Sequence, residues 1–262
     1  MESQAGRSIM VKNVFNTILV HQMSSFNLPE DTINKMNSLQ LRFWWNKKEK
    51  RGIFLTSWLG NCRTIADGGS TFRDLKLFNQ ALLAKSAWRL CTVRNSLWGG
   101  SLQDKYFKTL NALHAPKKAD STSSWKSISY ALGFIYKYSF CSVGNRTQIL
   151  IWKDKWIFNA GDPPSPADSG INTGSYTFVD ELIDQERKVW KQDIISQLFD
   201  QETAAKILFM RIPLNSEDKL IWTKTKRGNF TVKSAYHVLY NNKYHNGEDQ
   251  SITASNNLRK KI

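Results

Sequence analysis

Acidic residues are scarce in this chain of 262 residues: 22 Asp and Glu stand against 37 Lys and Arg, leaving a formal charge of +15. A surface so short of carboxylates favours a polyanionic partner. Cysteine is scarce too. Cys62, Cys91 and Cys141 form an odd, widely spaced set, which excludes a disulfide framework and fits a reducing compartment, the nucleus or cytoplasm. No apolar run approaches the roughly 20 residues that a membrane span needs. Residues 1–12 hold no apolar stretch closed by small residues, as a secretory leader would. No membrane partner is therefore expected. The four histidines, His21, His114, His237 and His245, stand apart from the cysteines and from one another. Zinc needs clustered donors, so neither a metal site nor any other cofactor is expected.

Clustered catalytic groups are also missing. Polymerases and nucleases converge carboxylates on two metal ions. The adjacent acidic pairs here, Glu30-Asp31, Asp180-Glu181, Glu217-Asp218 and Glu248-Asp249, all fall at expected helix starts or in polar loops. No serine sits in a nucleophile elbow, and Gly68-Gly69 lacks the lysine and spacing of a phosphate loop. The expectation is of a chain that is not an enzyme and carries no catalytic residue.

What is present is apolar and aromatic. Hydrophobic residues make up 41% of the chain, with ten Trp and fourteen Phe, enough for a real core and too many for a disordered tail. Charge is uneven. Residues 1–131 hold 19 Lys and Arg against 8 Asp and Glu, and residues 132–262 hold 18 against 14. The positive excess belongs to the first half.

Periodicity predicts helices over 7–26, about 30–45, 74–93, 97–108 and 124–138, with Pro29 opening the second of them. A short strand is expected from Ile53 to Trp58. Then the pattern changes. Phe140 to Val143 and Gln148 to Trp152, either side of Gly144-Asn145, predict a hairpin. Residues 161–174, with three prolines and three glycines, predict a linker. Short helices are expected near 180–183, 189–198 and 202–209. A second hairpin is expected around Arg227-Gly228-Asn229, then a helix over 233–240 and a polar, disordered tail. The expected fold is mainly α (α+β). Its parts are a basic helical region over 1–138, a hairpin segment over 139–160, the linker over 161–174, a small α+β region over 175–240 and the tail over 241–262.

The densest feature is Leu41-Arg42-Phe43-Trp44-Trp45-Asn46-Lys47-Lys48-Glu49-Lys50-Arg51. Three aromatics run into a block of cations where a helix ends, and cations are favoured at that end. Aromatic faces can stack on bases, and Lys and Arg can neutralise phosphates. Adjacent helical residues point about 100° apart, so one of Trp44 and Trp45 can be buried while the other stays open. The favoured reading puts these aromatics in the core, anchoring the helix end that presents Lys47, Lys48, Lys50 and Arg51 to phosphates. Arg42 and Lys35 extend the patch. Lys85 and Arg89, one turn apart, form a second cationic strip or, more plainly, a solvated helix face.

Several strings together resemble one family. These are Ala5-Gly6-Arg7 with Val11-Lys12-Asn13-Val14, Met23-Ser24-Ser25-Phe26-Asn27-Leu28-Pro29, Phe43-Trp44-Trp45 and Gly68-Gly69 with Phe72-Arg73-Asp74-Leu75. Phe78-Asn79-Gln80-Ala81-Leu82-Leu83-Ala84-Lys85 with Trp88-Arg89 follows, then Val143-Gly144-Asn145, Ile151-Trp152 with Asp154-Lys155-Trp156, and Trp222 with Val232-Lys233-Ser234-Ala235-Tyr236. The set is similar to the reverse transcriptase polyprotein of plant non-LTR (LINE-type) retrotransposons, in the region after the polymerase active site and before the zinc-binding domain. The likeness covers nearly the whole chain, and the block from Phe72 to Arg89 is its most specific part. Ser70-Thr71 stands where the family has Leu-Gly.

The resemblance implies a thumb-like and connector-like region that grips a template–primer duplex without sequence specificity. The family's aromatic-x-Asp-Asp motif has no match here, so no catalytic residue carries over. The missing ends imply a fragment or truncated gene product of a longer element. The expected function is non-catalytic, non-specific RNA or DNA duplex binding through the basic cluster. The alternatives are a structural connector between polymerase and downstream domains, and a decayed retroelement product without activity of its own.

Overall fold

A computed structural model of the chain describes residues 3–46, 54–93, 96–108, 111–116, 118–144, 148–168, 170, 172–212 and 217–245. These residues belong to two compact units, Met1–Ile135 with Phe230–Ile262, and Tyr136–Asn229. The fold is mainly helical with two small two-stranded antiparallel sheets, as expected.

The first unit opens with a helical stretch that the sequence suggests is continuous and that is broken. α1 (Gln4–Met10) passes into a π-helical turn, Val11–Phe15, then α2 (Asn16–Ile18) and, after Leu19, α3 (Val20–Ser25). A π turn takes one more residue than an α turn, so it shifts the buried face. Val11 is buried while Ile9, Val14 and Ile18 stay exposed. α4 (Glu30–Trp44) follows Pro29, with Glu30 and Asp31 at its positive end. The strand expected from Ile53 to Trp58 does not appear among the described residues. Ile53 lies outside the described residues, and Ser57 instead caps α5 (Trp58–Asn61) by accepting from Gly60 N.

α6 (Leu75–Thr92) is the centre of this unit. Leu75, Phe78 and Leu82 pack with Met23 of α3 and Ile33 of α4. Burial extends around more of α6 than one stripe because α3 and the last helix both lie against it. α7 (Leu97–Leu102) runs into a second π turn, Gln103–Phe107. α8 (Ser123–Lys137) buries Trp125, stacked on Tyr106 at 4.3 Å and 2°.

The second unit contains β1 (Ser139–Ser142), β2 (Ile183–Asp184), β3 (Val189–Trp190), α9 (Gln192–Leu198), α10 (Gln201–Phe209) and β4 (Lys219–Trp222). Neither expected hairpin forms as written. β1 pairs with β4, Ser139 opposite Trp222 and Ser142 opposite Lys219. Leu150 bridges Phe178 instead of pairing back onto the stretch from Phe140 to Val143. The hairpin that does form joins β2 to β3. Burial explains the exchange. Ile149, Ile151, Trp156, Val179, Leu182, Ile195, Phe199 and Ile207 share one core, and local pairing over 140–152 would compete with it. The Trp156 indole donates to Ile151 O at 2.9 Å, and Asp154, 1% exposed, accepts from Leu150 N at 2.8 Å.

α11 (Val232–Tyr244) returns to the first unit. Thr231 and Ser234 form a reciprocal capping box at its start. It runs past Tyr240, where the expected helix stops; the rest of the expected tail lies outside the described residues.

Candidate nucleic-acid interface

α4 delivers the aromatic run. Phe43 meets Phe15 at 5.1 Å, Trp44 meets Phe72 edge-on at 5.0 Å and 82°, and Phe72 stacks on Trp58 at 5.1 Å and 11°. Such pairs contribute about 0.5–1.5 kcal/mol each beyond burial. The Arg7 Nε donates to Trp44 O at 3.2 Å, tying α1 to the end of α4. Trp44 and Trp45 are both half-buried, so the burial is shared between them. Asn46 then turns the chain at φ 52°. Lys47, Lys48, Lys50 and Arg51, the expected phosphate contacts, lie outside the described residues.

Of the flanking cations, Lys35 is exposed and Arg42 half-buried on one face of α4. With Asp31, Asn34, Ser38 and Leu39 they line a shallow depression of about 520 Å³. Seven helical residues place the two cations about 10 Å apart along the axis. Lys85 and Arg89 are both exposed on α6, on either side of Trp88, which stacks on Phe230 at 5.5 Å. One helical turn separates them, about 6 Å along the axis.

One buried carboxylate gathers partners that are distant in the sequence. Asp74 caps α6, accepting from Lys76 N at 3.0 Å and Leu77 N at 3.3 Å. Its other oxygen accepts from Lys243 Nζ at 2.6 Å and Tyr244 OH at 3.1 Å, and its backbone N–H donates to Tyr236 OH at 3.0 Å. Tyr240 OH accepts from Thr64 N at 3.2 Å. Burial, reinforced by the nearby carboxylate, pushes the phenols of Tyr236 and Tyr244 and the thiol of Cys62 upward. One signal of this cluster does lie in the spacing: Tyr236, Tyr240 and Tyr244 recur every fourth residue and so share one helix face. Asn79, fully buried, does similar work for the turn before α4. It donates to Met23 O at 2.7 Å and Phe26 O at 2.8 Å, and accepts from Leu28 N at 2.8 Å. These residues hold helices together. Among the described residues, no group of His, Cys, Asp and Glu is placed to hold a metal ion. No helix is long and apolar enough to cross a membrane among them.

No family model and no solved structure matches the chain. An Arabidopsis thaliana protein named "Putative ribonuclease H protein At1g65750" is 30% identical over 244 residues, which is 90% of this chain and 39% of that protein. The chain thus spans about two fifths of that relative's length. This similarity corrects one expectation. The sequence alone points to no enzyme, yet the relative aligned along nearly all of it bears an enzyme's name. The lack of a contiguous motif is weak ground for excluding an enzyme, because metal-binding carboxylates converge from separate elements. A second Arabidopsis thaliana protein, "Uncharacterized mitochondrial protein AtMg00310", is 31% identical over 142 residues, covering 53% of this chain and 92% of that protein. With that relative matched over nearly its whole length, the chain belongs to the same family as the Arabidopsis mitochondrial protein.

Proposed function

We propose that the chain is a nucleic-acid-handling part of a plant non-LTR retroelement reverse transcriptase, from the region that follows the polymerase active site. The observation that carries this reading is the charge excess of the first half, 19 Lys and Arg against 8 Asp and Glu over residues 1–131. The exposed pair Lys85 and Arg89 and the α4 face bearing Lys35 and Arg42 agree with it. The ribonuclease H name of one relative makes an RNA–DNA hybrid the natural first probe. The aromatic run holds the end of α4 in place, and the cations after it grip phosphates without reading sequence.

Fluorescence anisotropy on the full chain with a labelled hybrid tests this between about 50 and 200 mM salt. Micromolar affinity is expected, falling steeply with salt and indifferent to sequence. Replacing Lys47, Lys48, Lys50 and Arg51 with Ala lowers the slope of log affinity against log salt by about 2–4, and replacing Lys85 and Arg89 by about 1–2. A slope unchanged in both variants removes the role of both clusters. Absence of binding at low salt removes the reading itself.

A further inference from the structure

The second unit is nearly neutral, with 13 Lys and Arg against 12 Asp and Glu over residues 136–229, yet four of its cations gather at one end of a sheet. At the Ser142 end of β1, Asp218 accepts from Gly144 N at 2.7 Å and Gln148 N at 3.1 Å. At the Ser139 end, the chain enters β1 through Lys137 and Tyr138 and leaves β4 through Thr223 to Arg227. Lys137, Lys224, Lys226 and Arg227 all lie there, and none has an ion-pair partner among the described residues.

Tyr138 organises this corner. Its ring packs edge-on against the fully buried Trp222 at 6.1 Å and 68°. Its carbonyl accepts from both Thr223 N at 3.0 Å and Thr223 Oγ1 at 2.7 Å. Two ammonium groups share the one ring, Lys137 at 5.4 Å and Lys224 at 5.0 Å from its centroid. A tight turn carries the other two cations. Gly228 sits at φ 72°, its N–H donates to Thr225 O at 3.1 Å, and its carbonyl accepts from Trp222 N at 2.8 Å. By contrast, Lys155 also lies over a tyrosine, Tyr136 at 5.0 Å, but has Asp162 at 3.8 Å. Cations gathered on a rigid frame without counter-charges form an electrostatic site for an anion.

We propose that Lys137 and Lys224 over Tyr138, with Lys226 and Arg227 on the adjoining turn, form a second phosphate-binding surface that takes the sugar–phosphate backbone of a nucleic acid; this rests on the function proposed above. A lipid surface fits less well. Interfacial binding pairs cations with exposed apolar anchors, and residues 223–229 contain Thr, Lys, Arg, Gly and Asn only.

The test uses the full chain, a labelled RNA–DNA hybrid of about 20 base pairs and a salt titration. The variant carries Lys137→Gln, Lys224→Gln, Lys226→Gln and Arg227→Gln. Expected are unchanged circular dichroism, a slope reduced by about 2–4 and affinity at low salt reduced about 10–100-fold. Tyr138→Phe keeps the ring and binds as wild type, whereas Tyr138→Leu loses about 2–5-fold because the lysines lose the face that gathers them. A folded quadruple variant with the wild-type slope overturns the proposal and leaves the general reading intact. Wild-type protein that fails to bind the hybrid overturns both. Tighter binding to phosphatidylserine vesicles than to the hybrid, lost in the same variant, assigns the corner to membranes and overturns the proposal.

Discussion

Asp74 and Asn79 show what the family-like strings do at the level of single side chains. Each lies in the block from Phe72 to Arg89, and each is spent on bonds within the first unit rather than on a ligand. Asp74→Ala removes a helix cap and leaves Lys243 and Tyr244 without their acceptor. Urea unfolding is expected to show a loss of about 2–4 kcal/mol at unchanged m-value. Asn79→Asp keeps the shape and the acceptor for Leu28 N but loses the donor to Met23 O and Phe26 O. A loss of about 2–4 kcal/mol is expected in the same assay, near that of Asn79→Ala. Thr71 gives a prediction of opposite sign. It stands where the resembling family has glycine, at φ 55°, a left-handed conformation that a β-branched residue adopts at a cost. Its hydroxyl donates to Ser70 O and accepts from Lys12 Nζ, both at exposed positions where water can replace the partner. Thr71→Gly is expected to raise stability by about 0.5–1 kcal/mol in urea melts, because relief of the backbone outweighs those two bonds.

At the scale of elements, α11 is a pH-sensitive closure. Burial keeps Tyr236, Tyr244 and Cys62 protonated in the folded chain. Above their ordinary values, the unfolded chain has released protons that the folded chain still binds. Stability is therefore present below about pH 9 and falls as pH rises. Denaturant midpoints measured from pH 7 to 11 check this, and Tyr244→Phe flattens the decline. On the acid side, backbone N–H groups of Thr203 and Glu202 hold the Asp200 carboxyl below the usual range. Its cap on α10 is intact above the ordinary carboxylate value and is lost as pH falls through the lowered one. The helices are legible in the sequence because their signals are local: the apolar spacing after Asp74, and Pro29 before Glu30. The strand partners are not legible. Ser139 and Trp222 are far apart in sequence, and nothing in either string names the other. The π turns are illegible too, since Val11 and Val14 both look buried and only packing selects Val11.

At the scale of the whole molecule, charge and aromatic content make the nucleic-acid reading available from composition alone. The corner at Tyr138 is hidden in the sequence because Lys137 and Lys224 meet only through the β1–β4 pairing. The return of α11 is hidden for the same reason. A chain ended at Asn229 is expected to lose cooperative unfolding of the first unit, since Val232 and Tyr236 pack on Leu75, Phe78 and Leu82. Paired urea melts of full-length and shortened chains, read by near-ultraviolet circular dichroism, check this. The order of the chain also sets a schedule. The helix that closes the first unit is made after the whole of Tyr136–Asn229, and at about 5–20 residues per second the ribosome leaves that core open for roughly 5–20 s. Met23, Leu75 and Leu82 wait through that interval without their last neighbour.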